Sequence, residues 1–291
     1  MSGSQRNVTR RLHLRESLLG IEGLALMRQL LEGDDQAARA RIEEVRWILD
    51  PARDADFGET TEVAELGVVD LYREWAASYD ASSRPVRAIE QPVVWSIFEQ
   101  LPPGRALDAA CGTGRHARRL VDLGHRVVGI DSSPEMLDRA RQLVAEAGFE
   151  VGDLCKLPVE TASMDLAVCA LALDHAPTLL EPLAELARTV RPGGTVVVSD
   201  VHPVISVMSG VAHVKFADGV RGFVRNHNHL HGEYLHAFAE VGLDVHRCFE
   251  PLYGEAEFAL KKTAMHFIPE ATKAAYLGLP GALVWHLIRR S

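Results

Sequence analysis

Residues 107–117, LDAACGTGRHA, contain the stretch that decides the fold. An apolar run leads into Asp108, a glycine turn follows at Gly112 and Gly114, and a helical segment comes directly after it. A strand, a glycine turn and a helix in this order bring backbone amides and a helix N-terminus up to a ligand. The spacing Gly112-x-Gly114-x-x-Ala117 also fits a loose dinucleotide fingerprint, so the glycines alone do not identify that ligand.

Short apolar or β-branched runs alternate with helical segments around this loop. The predicted strands cover 106–110, 127–130, 166–173 and 195–199, and the predicted helices cover 115–123, 134–146 and 179–190. Strands that alternate with helices are typical of a parallel sheet with helices on both faces. The sequence therefore predicts an α/β protein with a doubly wound, Rossmann-like sheet.

The flanks of this region are predicted to be mostly helical. Residues 10–50 indicate two helices separated at 33–35, where an aspartate can serve as N-cap, and 50–65 carry six acids against one arginine and indicate a solvated connector. Further helices are predicted over 68–79, 89–101 and 232–241, and closing strands over 245–249 and 282–288. We divide the chain into a helical extension, 1–66, and a domain, 67–291, made of lid helices at 67–101, a ligand-binding half at 105–200 and a substrate-side half at 201–291.

The composition is that of an ordinary globular protein. The chain has 291 residues, 47% of them hydrophobic, and a formal net charge of −9. The negative charge argues against a nucleic-acid partner, and no apolar run approaches the roughly 20 residues that span a bilayer. Residues 1–11 lack the apolar core of a secretory signal. The scattered cysteines fit reduced thiols, so we expect a cytoplasmic protein; they are Cys111, Cys155, Cys169 and Cys248.

Two aspartates near the glycine loop indicate the charge of the ligand. Asp108 lies four residues before Gly112, where it would repel a pyrophosphate and attract a cation. Asp131 ends the next predicted strand, seventeen residues beyond Gly114, close to the roughly 20 expected for an acid that binds a ribose diol. S-adenosylmethionine combines an adenosine with an ammonium and a sulfonium group, and it therefore satisfies both acids.

Four stretches in order resemble the class I S-adenosylmethionine-dependent methyltransferases, in particular the small-molecule enzymes of the ubiquinone-biosynthesis type. They are LDAACGTG at 107–114, GIDSSPEML at 129–137, GDLCKLPVETASMDLAV at 152–168 and LARTVRPGG at 186–194. The resemblance implies a seven-stranded sheet whose last strand is antiparallel, S-adenosylmethionine as cofactor, and methylation of a small organic molecule at oxygen, nitrogen or carbon. The chain departs from many relatives at Ala110, where they have the first glycine of the loop.

The resemblance also assigns cofactor contacts to numbered positions. The implied cofactor-binding residues are Tyr72, Tyr79, Asp108, Ala110, Gly112, Gly114, Asp131, Ser132, Met136, Asp153, Leu154, Ala170 and Leu171. Asp131 would bind the ribose hydroxyls, Met136 would pack on the adenine, and Asp153 with Leu154 would contact the adenine amino edge. The helix that carries Tyr72, Trp75 and Tyr79 resembles the family's N-terminal lid. Structural roles are the alternative: tight turns for the glycines, a helix cap for Asp131, core for Met136 and a docking stripe for the aromatic residues.

Histidines supply the candidates for acid–base chemistry. Methyl transfer requires alignment of the accepting atom, and a base helps when that atom carries a proton. His175 is the predicted base because it follows a strand whose carboxyl end opens onto the crevice, and Asp174 is the adjacent alternative. His227, His229 and His231 would share one face of an extended segment, but no carboxylate accompanies them, so we predict no metal ligand and interpret them as a wall of the substrate pocket.

Other functions stay compatible with these motifs. The same fold and cofactor can serve a non-methylating reaction such as a cyclisation, the two glycines fit a nicotinamide-dependent oxidoreductase, and a non-enzymatic adenosyl-ligand sensor would use the N-terminal helices for partner contacts. Those helices can equally cover the acceptor or form a homodimer. We expect the methyl acceptor to bind beside the segments that carry six of the chain's aromatic residues. They are Phe216, Phe223, Tyr234, Tyr253, Phe258 and Phe267.

Overall fold

A computed structural model describes residues 9–31, 33–58, 60–81, 84–209, 211–215, 221–258, 260 and 262–291. They belong to two units. Unit 1 comprises described residues within 1–65, 215–223 and 252–279, and unit 2 comprises those within 66–214, 224–251 and 280–291. The division thus differs from the predicted domains, because 215–223 and 252–279 group with the N-terminal residues and not with the rest of 67–291.

The strands and helices are numbered in chain order. The strands are β1 (Thr9–His13), β2 (Thr60–Glu65), β3 (Arg105–Ala109), β4 (Arg126–Asp131), β5 (Gly148–Val151), β6 (Met164–Ala170), β7 (Val190–Val201), β8 (Val211–Lys215), β9 (Arg221–Arg225), β10 (Leu243–Phe249) and β11 (Ala282–Arg289). The helices are α1 (Leu14–Arg28), α2 (Asp35–Leu49), α3 (Asp54–Phe57), α4 (Val68–Trp75), α5 (Pro85–Phe98), α6 (Arg115–Asp122), α7 (Pro134–Leu143), α8 (Leu180–Thr189), α9 (Pro203–Ser209), α10 (His231–Val241), α11 (Glu255–Phe258), α12 (Lys262–Phe267) and α13 (Pro269–Tyr276). Single 3₁₀ turns cover Pro51–Arg53, Ala76–Ser78 and Leu173–His175.

Unit 2 is built on a seven-stranded sheet in the order β10-β11-β7-β6-β3-β4-β5. β11 is antiparallel to both β10 and β7, and the remaining neighbours are parallel. The predicted doubly wound sheet with an antiparallel last strand is therefore confirmed. β3 lies between β4 and β6, so the carboxyl ends of three parallel strands meet at one edge, where ligands bind in such sheets.

Alternation along the central strands explains why this sheet forms. Val196 and Val198 of β7 face one cluster with side chains of α8 and α10, whereas Val197 faces the opposite cluster with side chains of α5 and α6. Successive side chains of a strand point to opposite faces, so a strand buried on both faces reads as a continuous apolar run. That is why the sequence identified β3, β6 and β7.

Unit 1 contains elements that the sequence did not predict. β1 pairs antiparallel with β2 over Thr9–His13 and Thr60–Glu65, and β2 pairs parallel with β9. The prediction that 50–65 is a solvated connector is therefore wrong for the second half of that range, which contains β2. Its acids are mostly exposed, while Phe57 and Val63 are buried, and a charge count does not reveal such single apolar anchors. The predicted cap of α2 is confirmed, because Asp34 accepts a hydrogen bond from Ala37 N at 2.7 Å.

Several short elements beyond β7 also escaped prediction, among them α9, β8, β9 and the helices α11 to α13. They have four to eight residues, too few for a clear apolar period. Among the residues that the structure describes, no helix combines the length and apolar character that a membrane crossing requires.

Candidate functional site

A cavity of about 320 Å³ lies within unit 2 at the carboxyl ends of β3, β4 and β6. Its lining residues are Val68, Val69, Tyr72, Tyr79, Asp108, Ala110, Cys111, Gly112, Thr113, Arg115, His116, Asp131, Ser132, Asp153, Leu154, Cys155, Ala170, Leu171, Ala172, His175, Ala176 and Pro177. All the residues assigned to the cofactor by resemblance are among them except Gly114 and Met136. The cavity therefore brings together side chains that are more than 100 residues apart in the sequence, from Val68 to Pro177.

The glycine loop between β3 and α6 adopts left-handed backbone conformations. Ala110 has φ +57°, Gly112 has φ +54° and Gly114 has φ +84°. A Cβ at Gly112 would meet nothing within 4 Å, so this residue leaves room in the cavity it lines. The turn is held to the sheet because Cys111 N donates to Ile130 O at 2.9 Å. Ala110 occupies a conformation that favours glycine, which is the strained form of backbone found at many functional sites.

Gly114 has a different role from the predicted one. It lies outside the lining of the 320 Å³ cavity, and a Cβ added there would approach Ala140 and Val144 of the following helical region to 3.3 Å. Its positive φ also disfavours any side chain. Gly114 therefore permits close packing of the loop, whereas Gly112 faces the cavity.

Asp108 is buried at the base of this loop. Its Oδ2 accepts a hydrogen bond from Ala117 N, in the first turn of α6, at 2.8 Å. Burial raises the pKa of Asp108 to about 7, although the bond from Ala117 opposes that shift. The charge of Arg115 also opposes the shift, but Arg115 is hydrogen-bonded to Glu90 at 2.8 Å, and no Lys or Arg among the described residues is hydrogen-bonded to Asp108. A positively charged ligand in the cavity would stabilise the ionised form.

Asp131 connects the end of β4 to the glycine loop. Its Oδ2 accepts from Gly112 N at 2.8 Å and its Oδ1 accepts from Ser133 N at 2.9 Å. Burial raises the pKa of Asp131, and these backbone bonds oppose the rise. Ser133, not Asp131, caps α7, since its hydroxyl accepts from Met136 N at 3.3 Å. Each carboxyl oxygen of Asp131 can accept a further bond, so the residue can still hold a ligand's hydroxyl groups.

Met136 belongs to the core. The side chain is fully buried and is not among the residues that line the cavity. The sequence placed it on the adenine, but its helical spacing fits the structural alternative. Asp153 and Leu154 do line the cavity, in a turn where Asp153 Oδ1 accepts from Cys155 N at 2.8 Å. Cys155 and Val68 also line the cavity but were not predicted: Cys155 lies within the motif 152–168 without an assigned contact, and Val68 lies outside the motifs.

His175 and Tyr72 meet at the cavity. The Tyr72 hydroxyl lies 2.8 Å from His175 Nε2, and burial raises the pKa of Tyr72 well above its usual range, so the hydroxyl keeps its proton. His175 Nδ1 lies 3.7 Å from Asp174 Oδ1, and neither atom has a hydrogen-bond partner among the described residues. Asp174 does not line the cavity; its Oδ2 accepts from Asn226 Nδ2 at 2.8 Å. The geometry places His175 at the cavity and Asp174 behind it.

The aromatic residues of α4 and the following turn surround this pair. Tyr72, Trp75 and Tyr79 have ring centroids 5.1 to 6.1 Å apart. The Arg84 guanidinium stacks on Trp75 with a centroid distance of 3.6 Å. Trp75 is buried and serves docking, while Tyr72 and Tyr79 line the cavity, so the same stripe packs the segment and contributes to the site.

The aromatic residues expected around an acceptor do not line this cavity. Phe223, Tyr253 and Phe267 belong to unit 1, and Tyr234 is buried with its hydroxyl donating to Asp200 Oδ2 at 2.6 Å. Phe216 and the Phe258 side chain lie outside the described residues. Besides Tyr72, Tyr79 and His175, the lining outside the glycine loop includes the aliphatic residues Val68, Val69, Ala172 and Pro177.

The three alternating histidines do not share one face. Residues 226–230 form no regular strand, and His231 is the first residue of α10. The rings of His227 and His229 stack at 6.1 Å, and His229 Nε2 donates to Ala176 O at 2.8 Å. His231 instead contacts Glu250. None of the three lines the cavity, so a role as a wall of the substrate pocket stays a prediction.

The family of the chain follows from the glycine loop, the strand order and a direct match of the sequence. A family model described as a methyltransferase domain matches residues 107–198. Residues 107–198 thus form a methyltransferase domain. The matched range begins at β3 and ends in β7, and so contains the glycine loop, Asp131 and His175.

Individual relatives agree with this assignment. The chain is 34% identical over 137 residues to a malonyl-[acyl-carrier protein] O-methyltransferase of Serratia marcescens, covering 47% of this chain and 53% of that protein. It is 38% identical over 114 residues to a demethylmenaquinone methyltransferase of Deinococcus radiodurans, covering 37% and 47%. The chain therefore spans about half the length of these relatives. A solved S-adenosylmethionine-dependent methyltransferase of Mesorhizobium loti shares the fold, with TM-score 0.53, 24% identity and coverage of 69% of this chain and 98% of that one.

Proposed function

We propose that the protein transfers a methyl group from S-adenosylmethionine to an oxygen, nitrogen or activated carbon of a small organic molecule. The observation that supports this best is the cavity itself. It joins the glycine loop, Asp108 and Asp131 on one side to His175 and Tyr72 on the other. A cofactor site and a candidate base therefore open onto the same space.

The residues present fit the proposed cofactor. Two buried carboxyls without a cationic side chain bonded to them suit a ligand that carries positive charge. Asp131 would hold hydroxyl groups, the open face of Gly112 gives the backbone close access, and Asp153 with Leu154 would border the base. When bound, S-adenosylmethionine supplies a methyl group on a positively charged sulfur. A nicotinamide dinucleotide fits less well, since its pyrophosphate would lie near Asp108.

His175 is the residue placed to move a proton. Its Nε2 is at the cavity, and Tyr72 fixes that nitrogen through the 2.8 Å contact. Asp174 lies behind the His175 ring. A small movement of its Oδ1 toward Nδ1, now 3.7 Å away, would let it accept a hydrogen bond from Nδ1 and orient the ring. An acceptor hydroxyl or amine would give up its proton to the Tyr72 hydroxyl while that hydroxyl passes its own proton to His175 Nε2. Val68, which lines the cavity, would help to exclude water.

A binding measurement tests the cofactor assignment first. Isothermal titration of S-adenosylmethionine and S-adenosylhomocysteine into the wild type and Asp131→Asn should show binding that the substitution weakens tenfold or more, about 1.4 kcal/mol. Asp138→Asn is the matched control, because Asp138 is an exposed residue of α7 paired only with Arg141. Absence of binding to the wild type, or equal binding to Asp131→Asn, would contradict the proposal. Titration of nicotinamide cofactors in parallel tests the oxidoreductase alternative.

An activity measurement then tests the chemistry. In a screen of small acceptors we expect His175→Ala to lower kcat by a factor of about 100 or more with little change in cofactor affinity. His236→Ala, on an exposed part of α10, should leave both unchanged. Consumption of a substrate without S-adenosylhomocysteine release would favour the cyclisation alternative. Cofactor binding without turnover of any acceptor would favour the sensor alternative.

Partners and location extend this proposal beyond the site. A small-molecule acceptor fits a cavity of 320 Å³. The charge of −9 argues against nucleic acid, and the cysteines, free in the structure, are compatible with a cytoplasmic protein. A homodimer through the N-terminal helices stays a prediction, which light scattering of the wild type and of a Leu30→Ser, Leu31→Ser variant would test; both leucines are highly exposed.

A further inference from the structure

Three side chains that are distant in sequence converge beyond the cavity lining. His202 follows β7, His231 begins α10 and Glu250 follows β10. His202 Nε2 lies 3.0 Å and His231 Nε2 2.9 Å from the same atom, Glu250 Oε1. β7 and β10 are both antiparallel to β11 and so run in the same direction, which puts all three residues at the carboxyl edge of the sheet.

We propose that His202, His231 and Glu250 form a binding site for a divalent first-row transition metal such as Zn²⁺. The three donor atoms lie within 4.8 Å of one another, close enough for a single ion to contact all of them. Two imidazoles and one carboxylate are the protein ligands of many zinc sites, and three such ligands leave a coordination position for water or another oxygen. The proposal concerns ligands on this chain and does not depend on which reaction the cavity performs.

The surroundings fit a preformed site with modest affinity. His202 is almost fully buried, Trp285 packs edge-on against His231 at 5.9 Å, and Glu250 closes the site from its exposed side. His202 Nδ1 accepts a long 3.2 Å bond from Val204 N, so without a metal the ring carries its proton on Nε2 and donates to Glu250. A metal on Nε2 requires the other tautomer, in which the proton is on Nδ1, so the bond that Nδ1 accepts from Val204 N is lost. We therefore expect micromolar and not nanomolar affinity.

The site would also act on the cavity's rim. His231 ends the segment 226–231, and the start of that segment is bonded to Asp174: Asn226 Nδ2 donates to Asp174 Oδ2 at 2.8 Å and His227 N donates to Asp174 O at 2.6 Å. His229 donates to Ala176 O, a cavity residue. An ion that fixes His231 to the ends of β7 and β10 would therefore restrain the segment that holds residues 174–176.

Metal titration of the full chain, without a histidine tag and after chelator treatment and dialysis, tests the site. Zn²⁺ binding would be followed by calorimetry and Co²⁺ binding by its visible absorption. The cluster variants are His231→Ala and Glu250→Gln, and the matched controls are His236→Ala and Glu240→Gln, both exposed on α10. Glu250 is exposed and its change to glutamine keeps the volume, so that variant is expected to fold even if His231→Ala does not.

One metal per chain should bind the wild type and both controls, with affinity at least tenfold weaker in Glu250→Gln and His231→Ala. Bound Co²⁺ should give the wild type the intense visible absorption of an ion with a low coordination number. The cluster variants should lose this absorption. The proposal would be overturned if the wild type bound neither Zn²⁺ nor Co²⁺. It would also be overturned if the wild type bound them no more tightly than Glu250→Gln does. In that case the three side chains form only a hydrogen-bonded group.

Discussion

Two buried carboxyls in unit 2, Glu90 on α5 and Asp108 at the end of β3, have opposite electrostatic environments. Glu90 accepts from Arg115 at 2.8 Å and from the Ser199 hydroxyl at 2.7 Å. Burial acts to raise its pKa, but Arg115, His116 and the Ser199 hydroxyl lower it to about 2. Asp108 has one backbone donor, and burial raises its pKa to about 7.

The difference separates a carboxyl that stabilises the fold from one kept for a ligand. Glu90 is neutralised within the chain, and nothing remains for it to attract. Asp108 pays a desolvation cost in the free protein that a cationic ligand can offset on binding. A buried carboxyl that lacks a cation and borders a cavity is therefore the stronger indication of a binding site.

The largest expected effect is on the paired carboxyl. Glu90→Gln should lower the free energy of unfolding by about 4 kcal/mol at pH 7, because Arg115 would lose its partner within the protein. The wild-type contribution is present above pH 4.5 and is lost as the pH falls toward 2, since the folded pKa lies below the unfolded one. Urea unfolding measures the change.

The control for Glu90 is an ion pair between the same two helical regions. Glu99, which caps the end of α5, pairs with Arg119 of α6 at the surface. Glu99→Gln should cost less than about 1 kcal/mol, because exposed pairs contribute little. If both variants lost the same stability, burial would not distinguish the two pairs and the comparison would fail.

Asp108 should respond with the opposite sign. Asp108→Asn can keep the bond from Ala117 but cannot ionise. We therefore expect it to raise the free energy of unfolding by about 3 kcal/mol at pH 8. This is somewhat less than the ~4 kcal/mol that corresponds to raising the pKa of the carboxyl from 3.8 to about 7. Because the folded pKa is raised, wild-type stability falls as the pH rises from about 4 to 7. The gain should therefore be smaller at pH 5. A loss of stability at pH 8 would show that the ionised Asp108 is held by favourable contacts.

The sequence predicted the half of unit 2 around these carboxyls well, for a physical reason. β3, β6 and β7 are buried on both faces, and continuous apolar runs such as 196–198 record that burial directly. The residues at their carboxyl ends follow in fixed positions, so Asp108, Asp131 and His175 could be placed at one edge. Side-chain direction could not be predicted: Asp131 and Met136 lie in the same motif, 129–137, yet Asp131 lines the cavity and Met136 is core.

Unit 1 and the histidine cluster gave no comparable pattern. β1 is largely exposed, β2 is mostly half-buried, and the two pair across about 50 residues, so neither periodicity nor spacing indicates them. His202, His231 and Glu250 are brought together by three different elements of the sheet edge. Local sequence reports burial along one element, whereas these features depend on contacts between elements.

Ser199 tests how much the second partner of Glu90 contributes. Ser199→Ala should lower the free energy of unfolding by about 2 kcal/mol, because a buried hydrogen bond to a charged group is lost. The acid-unfolding midpoint should move to higher pH, since the pKa of Glu90 would rise. Ser96→Ala removes an exposed hydroxyl from α5, the helix that carries Glu90. It should change neither the free energy of unfolding nor the acid-unfolding midpoint measurably. Equal effects of the two serines would assign the low pKa of Glu90 to Arg115 and His116.

The smallest expected effect bears directly on the role of Asp108 as the carboxyl kept for a ligand. If the cation in the cavity interacts with the ionised form, affinity for S-adenosylmethionine should rise about tenfold between pH 6 and pH 8, because the free protein must first lose a proton with pKa about 7. Calorimetry across this range should show the rise in the wild type and its loss in Asp108→Asn, which binds more weakly throughout. The same slope in both proteins would assign the pH dependence to another group. An affinity independent of pH in the wild type would mean that the ligand does not sense this carboxyl, and Asp108 would then serve only as the anchor of α6 through Ala117.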